Sequence, residues 1–418
     1  MKLINLLLRA GAHDDPKPII ETAERTYTRA QAIAEVQALI GHLRQAGVDS
    51  GERVVAIIEP NARGLFLLAA ASAMGLRLIM PYNLAMGAIA EWLDVIEAAR
   101  PAHIVAFTQD RALLDELGQR HLAVVPDRDT LTPLPSRPAA FIIDDLQPVP
   151  GFLTLFSSGT SGAPKPISIG ESLVCARVLS VTQALQFSGT ARALLTGLFN
   201  NTTGVIFAFG CLLHNACLVI PHKRDAAHWA TQVADLEITH LMLRPALLAT
   251  FLDAVAAQAL SLSSLRVLAY GAAPVPAPVV ERGRSLLSCQ WVQGYGLTET
   301  FGPFCWLDEA AHRDGAHLGQ PYCIGVPDHT AEVRVQAQAP EQPGVLEVRT
   351  ALLMDGYVDF ASGRVSEPPS WYGTGDLACF DSAGRLLLKG RQKRWCSAPT
   401  ATRSTPPKSR LSHTSALG

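Results

Sequence analysis

The segment Leu153-Thr154-Leu155-Phe156-Ser157-Ser158-Gly159-Thr160-Ser161-Gly162-Ala163-Pro164-Lys165 carries the clearest chemistry in the chain. An apolar run feeds a loop of hydroxyls and glycines that closes on proline and lysine. Glycines let backbone N–H groups turn inward on a phosphate, hydroxyls add donors, and a lysine adds a point charge. Charge-assisted bonds of this kind are worth about 1.5–3 kcal/mol each. The Walker A order G-x-x-x-x-G-K-[ST] does not occur. A nucleophile elbow on Ser161 needs a helix to begin at once, which Pro164 and Pro166 oppose, and spacing assigns it no His/Asp partner. Taken alone, the loop also fits a plain surface Ser/Gly turn.

It is followed, in order, by Leu265-Arg266-Val267-Leu268-Ala269-Tyr270-Gly271-Ala272-Ala273-Pro274 and Gln293-Gly294-Tyr295-Gly296-Leu297-Thr298-Glu299-Thr300. Tyr372-Gly373-Thr374-Gly375-Asp376-Leu377 and Lys389-Gly390-Arg391-Gln392-Lys393 come next. Order, spacing and residue types resemble the adenylate-forming superfamily of acyl- and aryl-CoA synthetases, peptide-synthetase adenylation domains and luciferases. The resemblance spans roughly residues 27–394.

That resemblance implies an acyl-CoA-synthetase-like enzyme, an acid–thiol ligase using ATP, Mg²⁺ and coenzyme A. It implies that Thr154, Ser157, Ser158, Gly159, Thr160, Ser161, Gly162 and Lys165 hold the β- and γ-phosphates. Gly271, Ala272 and Ala273 would form a small-residue wall against adenine, with Tyr295 on the other side of the ring. Thr298 would bond the α-phosphate or the acyl carboxylate, Glu299 would hold Mg²⁺, Asp376 would accept the ribose hydroxyls, and Arg391 would approach the ribose or α-phosphate. Thr298, Glu299 and Lys165 are thereby the catalytic candidates, while Gly271 and Gly296 would also border the substrate pocket.

Two departures follow. Relatives often carry His in a P-x-x-H-x-x-G stretch near the acyl pocket, where Leu198-Phe199-Asn200-Asn201-Thr202-Thr203-Gly204 places Asn201. Amino-acid-activating relatives put an Asp at about the next position, which Thr202 occupies. Thr202 cannot pair a buried ammonium, so an uncharged fatty, acyl or aryl tail is expected. The second departure is that the match stops near Arg394. The family's C-terminal domain, which brings a lysine onto the reacting groups, is expected to be missing. Acyl-AMP formation and above all thioester formation are then expected to be impaired. A non-catalytic or partner-dependent nucleotide- and acyl-binding protein is the alternative.

The elements that must position these residues alternate between β-rich runs and helical patterns. Strands are expected at 54–58, 76–80, 103–107, 218–220, 238–243 and 265–270, and helices follow Pro60-Asn61 and cover 89–99, 226–236 and 245–256. Such alternation implies parallel sheets covered by helices, with ligands at the C-terminal strand ends. From about residue 331 strands at 331–336, 345–350 and 385–389 are separated by turns such as Gln342-Pro343-Gly344. The fold class expected is α/β: two packed α/β subdomains with mostly parallel sheets, approximately 1–145 and 146–325, plus a small β-rich subdomain over 326–394. Residues 395–418 read as a disordered tail.

Totals agree with a buried enzyme. The 418 residues are 48% hydrophobic and 17% charged, and Lys+Arg 35 against Asp+Glu 37 leaves no basic field for nucleic acid or anionic lipid. The 8 cysteines lack C-x-x-C spacing and read as buried free thiols rather than a zinc site or disulfides. The apolar start lacks signal-peptide features, and the 65–80 run is too short for a bilayer and carries Arg77. A cytoplasmic protein is therefore expected, and the resemblance adds a small carboxylic acid as substrate with coenzyme A or an acyl carrier protein as acceptor.

Overall fold

The computed structural model describes residues 1–8, 15–81, 89–107, 111–119, 124–126, 143, 147–157, 164–318, 322–338 and 342–392. Ser158, Gly159, Thr160, Ser161 and Gly162 of the phosphate-loop candidate, Lys393 and the expected tail lie outside them.

Two sheets organise the chain, one of 13 strands and one of 8. In the larger, Pro18–Glu21, Cys217–Val219, Arg192–Leu194, His240–Leu243, Val267–Gly271 and Gln290–Leu297 run parallel. Each of the later ones enters through a helical crossover, which parallel pairing demands. Past Gln290–Leu297 the same sheet continues antiparallel through Gly302–Leu307, Tyr322–Pro327, Leu386–Arg391, Tyr372–Phe380, Gly344–Thr350 and Ala331–Gln336. The β-rich C-terminal strands join the edge of the main sheet through Tyr322–Pro327 while burying a cluster of their own around Phe304, Ile324, Leu346 and Ala378.

In the smaller sheet Val124–Pro126, His103–Phe107, Arg53–Ile58, Arg77–Ile79 and Leu153–Phe156 run parallel. Pro166–Ile169 then folds back antiparallel on Leu153–Phe156. The Gly356–Asp359 strand, arriving from the far C-terminal region, pairs with Pro166–Ile169.

Helices lie between the sheets and outside both. The largest core cluster joins the helices Arg29–Gln45, Ala62–Met74, Glu171–Ala184 and Thr202–His214 to the facing sides of the sheets. Separate clusters bury Ala226–Asp235 and Pro245–Ala257 on the larger sheet, and Ile89–Ala99 and Arg111–Gln119 on the smaller. The result is an αβαβα stack.

Local sequence explains the central layer. Asn61 caps the Ala62–Met74 helix by accepting from Gly64 N, and Gly75 ends it in the left-handed region at φ 72°. Almost every residue of that helix is buried, as its unbroken apolar run requires. Buried polar groups in this layer are bonded. The Glu171 carboxylate accepts from Leu3 N at 2.7 Å, Val149 N at 2.9 Å and Ser72 Oγ, tying three segments to the helix that follows Pro166–Ile169. Arg29 donates to the carbonyls of Leu6, Leu7 and Leu212 at 2.8–3.0 Å, where helix ends leave acceptors. Among the described residues no helix is long and apolar enough to cross a membrane, and the described cysteines are free and mostly buried.

Candidate active site

The loop that opens the site closes a β-hairpin. Phe156 pairs with Pro166 across the antiparallel ladder, and Ser157 N donates to Lys165 O at 3.1 Å. Thr154 is a buried strand residue opposite Ser168, whereas Lys165 is exposed at the other foot of the loop. Its ammonium stands over the Tyr357 ring, 5.4 Å from the centroid.

Tyr357 reaches Lys165 because Gly356–Asp359 adds itself to the edge of Pro166–Ile169, with Tyr357 opposite Ile167. Asp355 pins that strand: its Oδ2 accepts from Gly151 N and Ser168 Oγ, both at 3.0 Å. The Tyr357 hydroxyl lies 2.9 Å from Glu299 Oε1 and 2.7 Å from the Tyr372 hydroxyl. The Glu299 carbonyl accepts from Met354 N at 2.7 Å. Burial first, then the Glu299 charge, pushes the Tyr372 phenol far above its ordinary value, so it serves as a proton donor.

Glu299 sits on a turn that the sequence itself fixes. Thr300 Oγ1 accepts from Leu297 N at 3.1 Å and bonds Gly302 O at 2.8 Å, and Phe301 N donates to Thr298 O at 2.9 Å. From the helix behind, the fully buried Arg177 donates Nε to Thr300 O at 3.1 Å and Nη1 to Pro303 O at 2.9 Å. Asp328, 3.7 Å away, balances its charge. Thr298 and Glu299 are therefore held by their backbones while their side chains stay partly exposed.

The second group lies at the C-terminal ends of adjacent parallel strands. Val267–Gly271 ends where Gly271 pairs with Gly294, and a Cβ on Gly271 would stand 2.2 Å from Gly294 O. Only glycine permits that approach. Ala272 takes φ 68°, a left-handed value unusual for a residue with a side chain. Ala272 and Ala273 are exposed beyond the strand end, as a small-residue wall would be. Gly296 is equally constrained, its absent Cβ 2.1 Å from Gly302 O at a shift in register.

Next to this wall the Tyr295 hydroxyl donates to Asp376 Oδ2 at 2.7 Å, and Arg391 Nε donates to Oδ1 at 2.8 Å. Asp376 and Arg391 are direct cross-strand partners, the arrangement in which opposite charges support a sheet. Burial, then the Asp376 charge, raises the Tyr295 phenol well above its ordinary value. Tyr372 and Asp376 share the Tyr372–Phe380 strand, so the Lys165–Tyr357–Glu299 cluster and the Tyr295–Asp376–Arg391 cluster are joined.

Asn201 and Thr202 stand apart from both clusters. Asn201 caps the Thr202–His214 helix, accepting from Gly204 N at 3.3 Å. It also lines a cavity of ≈ 80 Å³ with Thr203, and Thr202 opens the helix between them. Nothing in the sequence marks Tyr357, Asp355 or Arg177 as site residues, and Tyr372 stands out only as part of its motif. Their signals were weak, since each acts through a partner distant in sequence.

Glycine-permitted strand ends, a lysine-footed hairpin and a carboxylate turn are thus set on the αβαβα stack of an α/β enzyme. The chain belongs to the AMP-binding enzyme family, which it matches over residues 8–358, and it is acid–thiol ligase-like. YdaB of Bacillus subtilis strain 168, named an acyl–CoA ligase, is 22% identical over 94% of this chain and 79% of its own length. ScoC of Streptomyces coeruleorubidus, a fatty acid–[acyl-carrier-protein] ligase, is 25% identical over 91% of this chain and 75% of its own. The o-succinylbenzoate coenzyme A synthetase MenE of Bacillus subtilis, solved with ATP and a magnesium ion, shares the fold. Its TM-score is 0.77 at 19% identity, over 93% of this chain and 79% of that one.

Proposed function

We propose that the chain activates a carboxylic acid with ATP. A carboxylate oxygen attacks the α-phosphorus, the bond to pyrophosphate breaks with its electron pair, and acyl-AMP remains. A thiol, coenzyme A or that of an acyl carrier protein, then displaces AMP. The observation that carries this reading is the joining of Lys165, Glu299 and the Tyr295–Asp376–Arg391 group through Tyr357 and Tyr372. No covalent nucleophile is needed; placing the acid in line and stabilising phosphate charge are the main tasks.

In this reading Lys165 and the loop from Thr154 through Gly162 hold the terminal phosphates. Gly271, Ala272 and Ala273 face adenine, and Tyr295 packs on it while orienting Asp376 toward the ribose with Arg391. Thr298 bonds the α-phosphate or the reacting carboxylate, beside the open backbone of Gly296. Asn201 and Thr202 border the acid. Mg²⁺, when bound, neutralises phosphate charge as a Lewis acid. The residues present fit it: Mg²⁺ takes one or two carboxylates with phosphate oxygens and water. Glu299 offers one partly exposed carboxylate, and no cluster of three or more ligating residues occurs among the described ones.

Acid-dependent ATP–pyrophosphate exchange with a panel of carboxylic acids tests the reading. Exchange that a Lys165→Ala substitution abolishes is the expected result. ATP binding without exchange for any acid would instead make the chain a nucleotide-binding protein. Thioester formation, measured separately with coenzyme A, reads the second step.

A further inference from the structure

A cavity of ≈ 80 Å³ opens at the C-terminal ends of Arg192–Leu194 and His240–Leu243, bordered by Thr196, Asn201, Thr203, Arg224, Met242 and Arg244. It lies on the same sheet edge as Gly271 and Gly296. Two strand spacings, about 10 Å, separate His240–Leu243 from Gln290–Leu297.

Two guanidinium groups line this space, and among the described residues no carboxylate does. Arg224 is held by a bond to Thr196 O and by the Trp229 ring, 5.8 Å away. The neighbouring Asp225 is spent on capping the next helix, accepting from Ala227 N at 3.1 Å. Arg244 precedes Pro245 and makes no side-chain cap. Among the described residues neither arginine has a carboxylate partner. Desolvation, then the charge of Arg244, holds Arg224 below the ordinary arginine value. Both side chains are exposed, so water screens their repulsion, and an anion entering the cavity would meet two guanidinium donors at once.

We propose that Arg224 and Arg244 bind a second anionic group of the acid substrate, most simply a carboxylate several carbons from the one that is adenylated. This rests on the proposed function and names its substrate class. Guanidinium forks match a carboxylate in shape and charge, and Thr203 and Asn201 add polar groups beside them. The uncharged tail expected from Thr202 alone gives way to an anionic one: the sequence lacks a partner for an ammonium, and the cavity supplies partners for its opposite.

The test compares α,ω-dicarboxylic acids with monocarboxylic acids of equal length in pyrophosphate release, for wild type, Arg224→Gln and Arg244→Gln. Thiol is omitted, so the phosphates of coenzyme A cannot occupy the arginines. Dicarboxylates should be preferred by about tenfold or more in kcat/KM, the worth of a charge-assisted bond. Each substitution should remove about that factor while changing monocarboxylate turnover less than about twofold. Preference for monocarboxylates, or equal losses for both classes, overturns the inference and leaves the proposed function standing. If no acid supports turnover, calorimetric titration of the dicarboxylates decides. Binding to wild type but not to Arg244→Gln supports the site, and equal or absent binding overturns it. Unchanged melting temperatures verify that both variants, at exposed positions, are folded.

Discussion

Glu299 is oriented by a phenol from elsewhere in the chain, and this gives a prediction at the scale of single atoms. Tyr357 is 58 positions from Glu299 in sequence yet 2.9 Å away in space. Removing its hydroxyl leaves the carboxylate free to swing from its place while Lys165 keeps the ring beneath it. Tyr357→Phe should therefore weaken binding of Mg·ATP by about 1.5–3 kcal/mol, the range for a bond to a charged acceptor. Binding of metal-free ATP should be unchanged, and calorimetry with and without Mg²⁺ separates the two. Equal weakening of both would make Tyr357 a general packing residue. Glu299, Asp376 and Lys165 were legible because their neighbours in sequence mark them. Tyr357 was not, since nothing near Asp355-Gly356 announces that a strand from there reaches the lysine.

Among the elements, short connecting pieces carry more of the site than the long ones. The sequence pattern located Ile89–Ala99, His103–Phe107 and Ala331–Gln336 to the residue, because apolar period and turn residues are local signals. It did not show that Gly356–Asp359 leaves the larger sheet's connections to edge the smaller one, since pairing partners distant in sequence leave no local trace. Nor did it show that the C-terminal strands continue the main sheet antiparallel. The Glu171–Ala184 helix is a comparable case, for nothing in its sequence shows that Arg177 holds the carbonyls after Glu299. Arg177→Met strips the charge partner from Asp328, whose side chain is 11% exposed. It should cost about 3 kcal/mol or more, as breaking one side of a buried pair does. Chemical denaturation measures this. Asp355→Ala, which removes the acceptor of Gly151 N and the Ser168 hydroxyl at the open end of the hairpin formed by Leu153–Phe156 and Pro166–Ile169, should cost about 1 kcal/mol. Both variants should lose pyrophosphate release before they lose fold, because each loosens a wall of the cleft.

For the molecule as a whole, covering both faces of the larger sheet with helices buries imidazoles where a proton is unwelcome. His240 is 2% exposed, with Nε2 3.0 Å from Leu185 O and Nδ1 2.7 Å from Thr239 Oγ1. His312 is 1% exposed, with Nδ1 2.6 Å from Asp308 O and Nε2 2.8 Å from the Tyr270 hydroxyl. Burial pushes each down to about 4 from 6.5. The unfolded chain therefore takes up protons near pH 6.5 that the folded chain refuses until about pH 4. Their contribution is constant above the ordinary value and declines as the pH falls through it. By pH 5 it amounts to a loss of about 2 kcal/mol for each imidazole. Melting temperature should accordingly drop between pH 7.5 and 5, and His240→Gln should flatten that drop whatever it does at neutral pH. An unchanged slope would place acid sensitivity in the carboxylates instead. His312 carries the same effect toward the site: a proton on Nε2 evicts the hydrogen of Tyr270, the residue before Gly271. The folded chain refuses that proton until about pH 4, so ATP affinity should hold through mild acid and fall only near pH 4, and His312→Gln should remove that fall in a titration of affinity against pH.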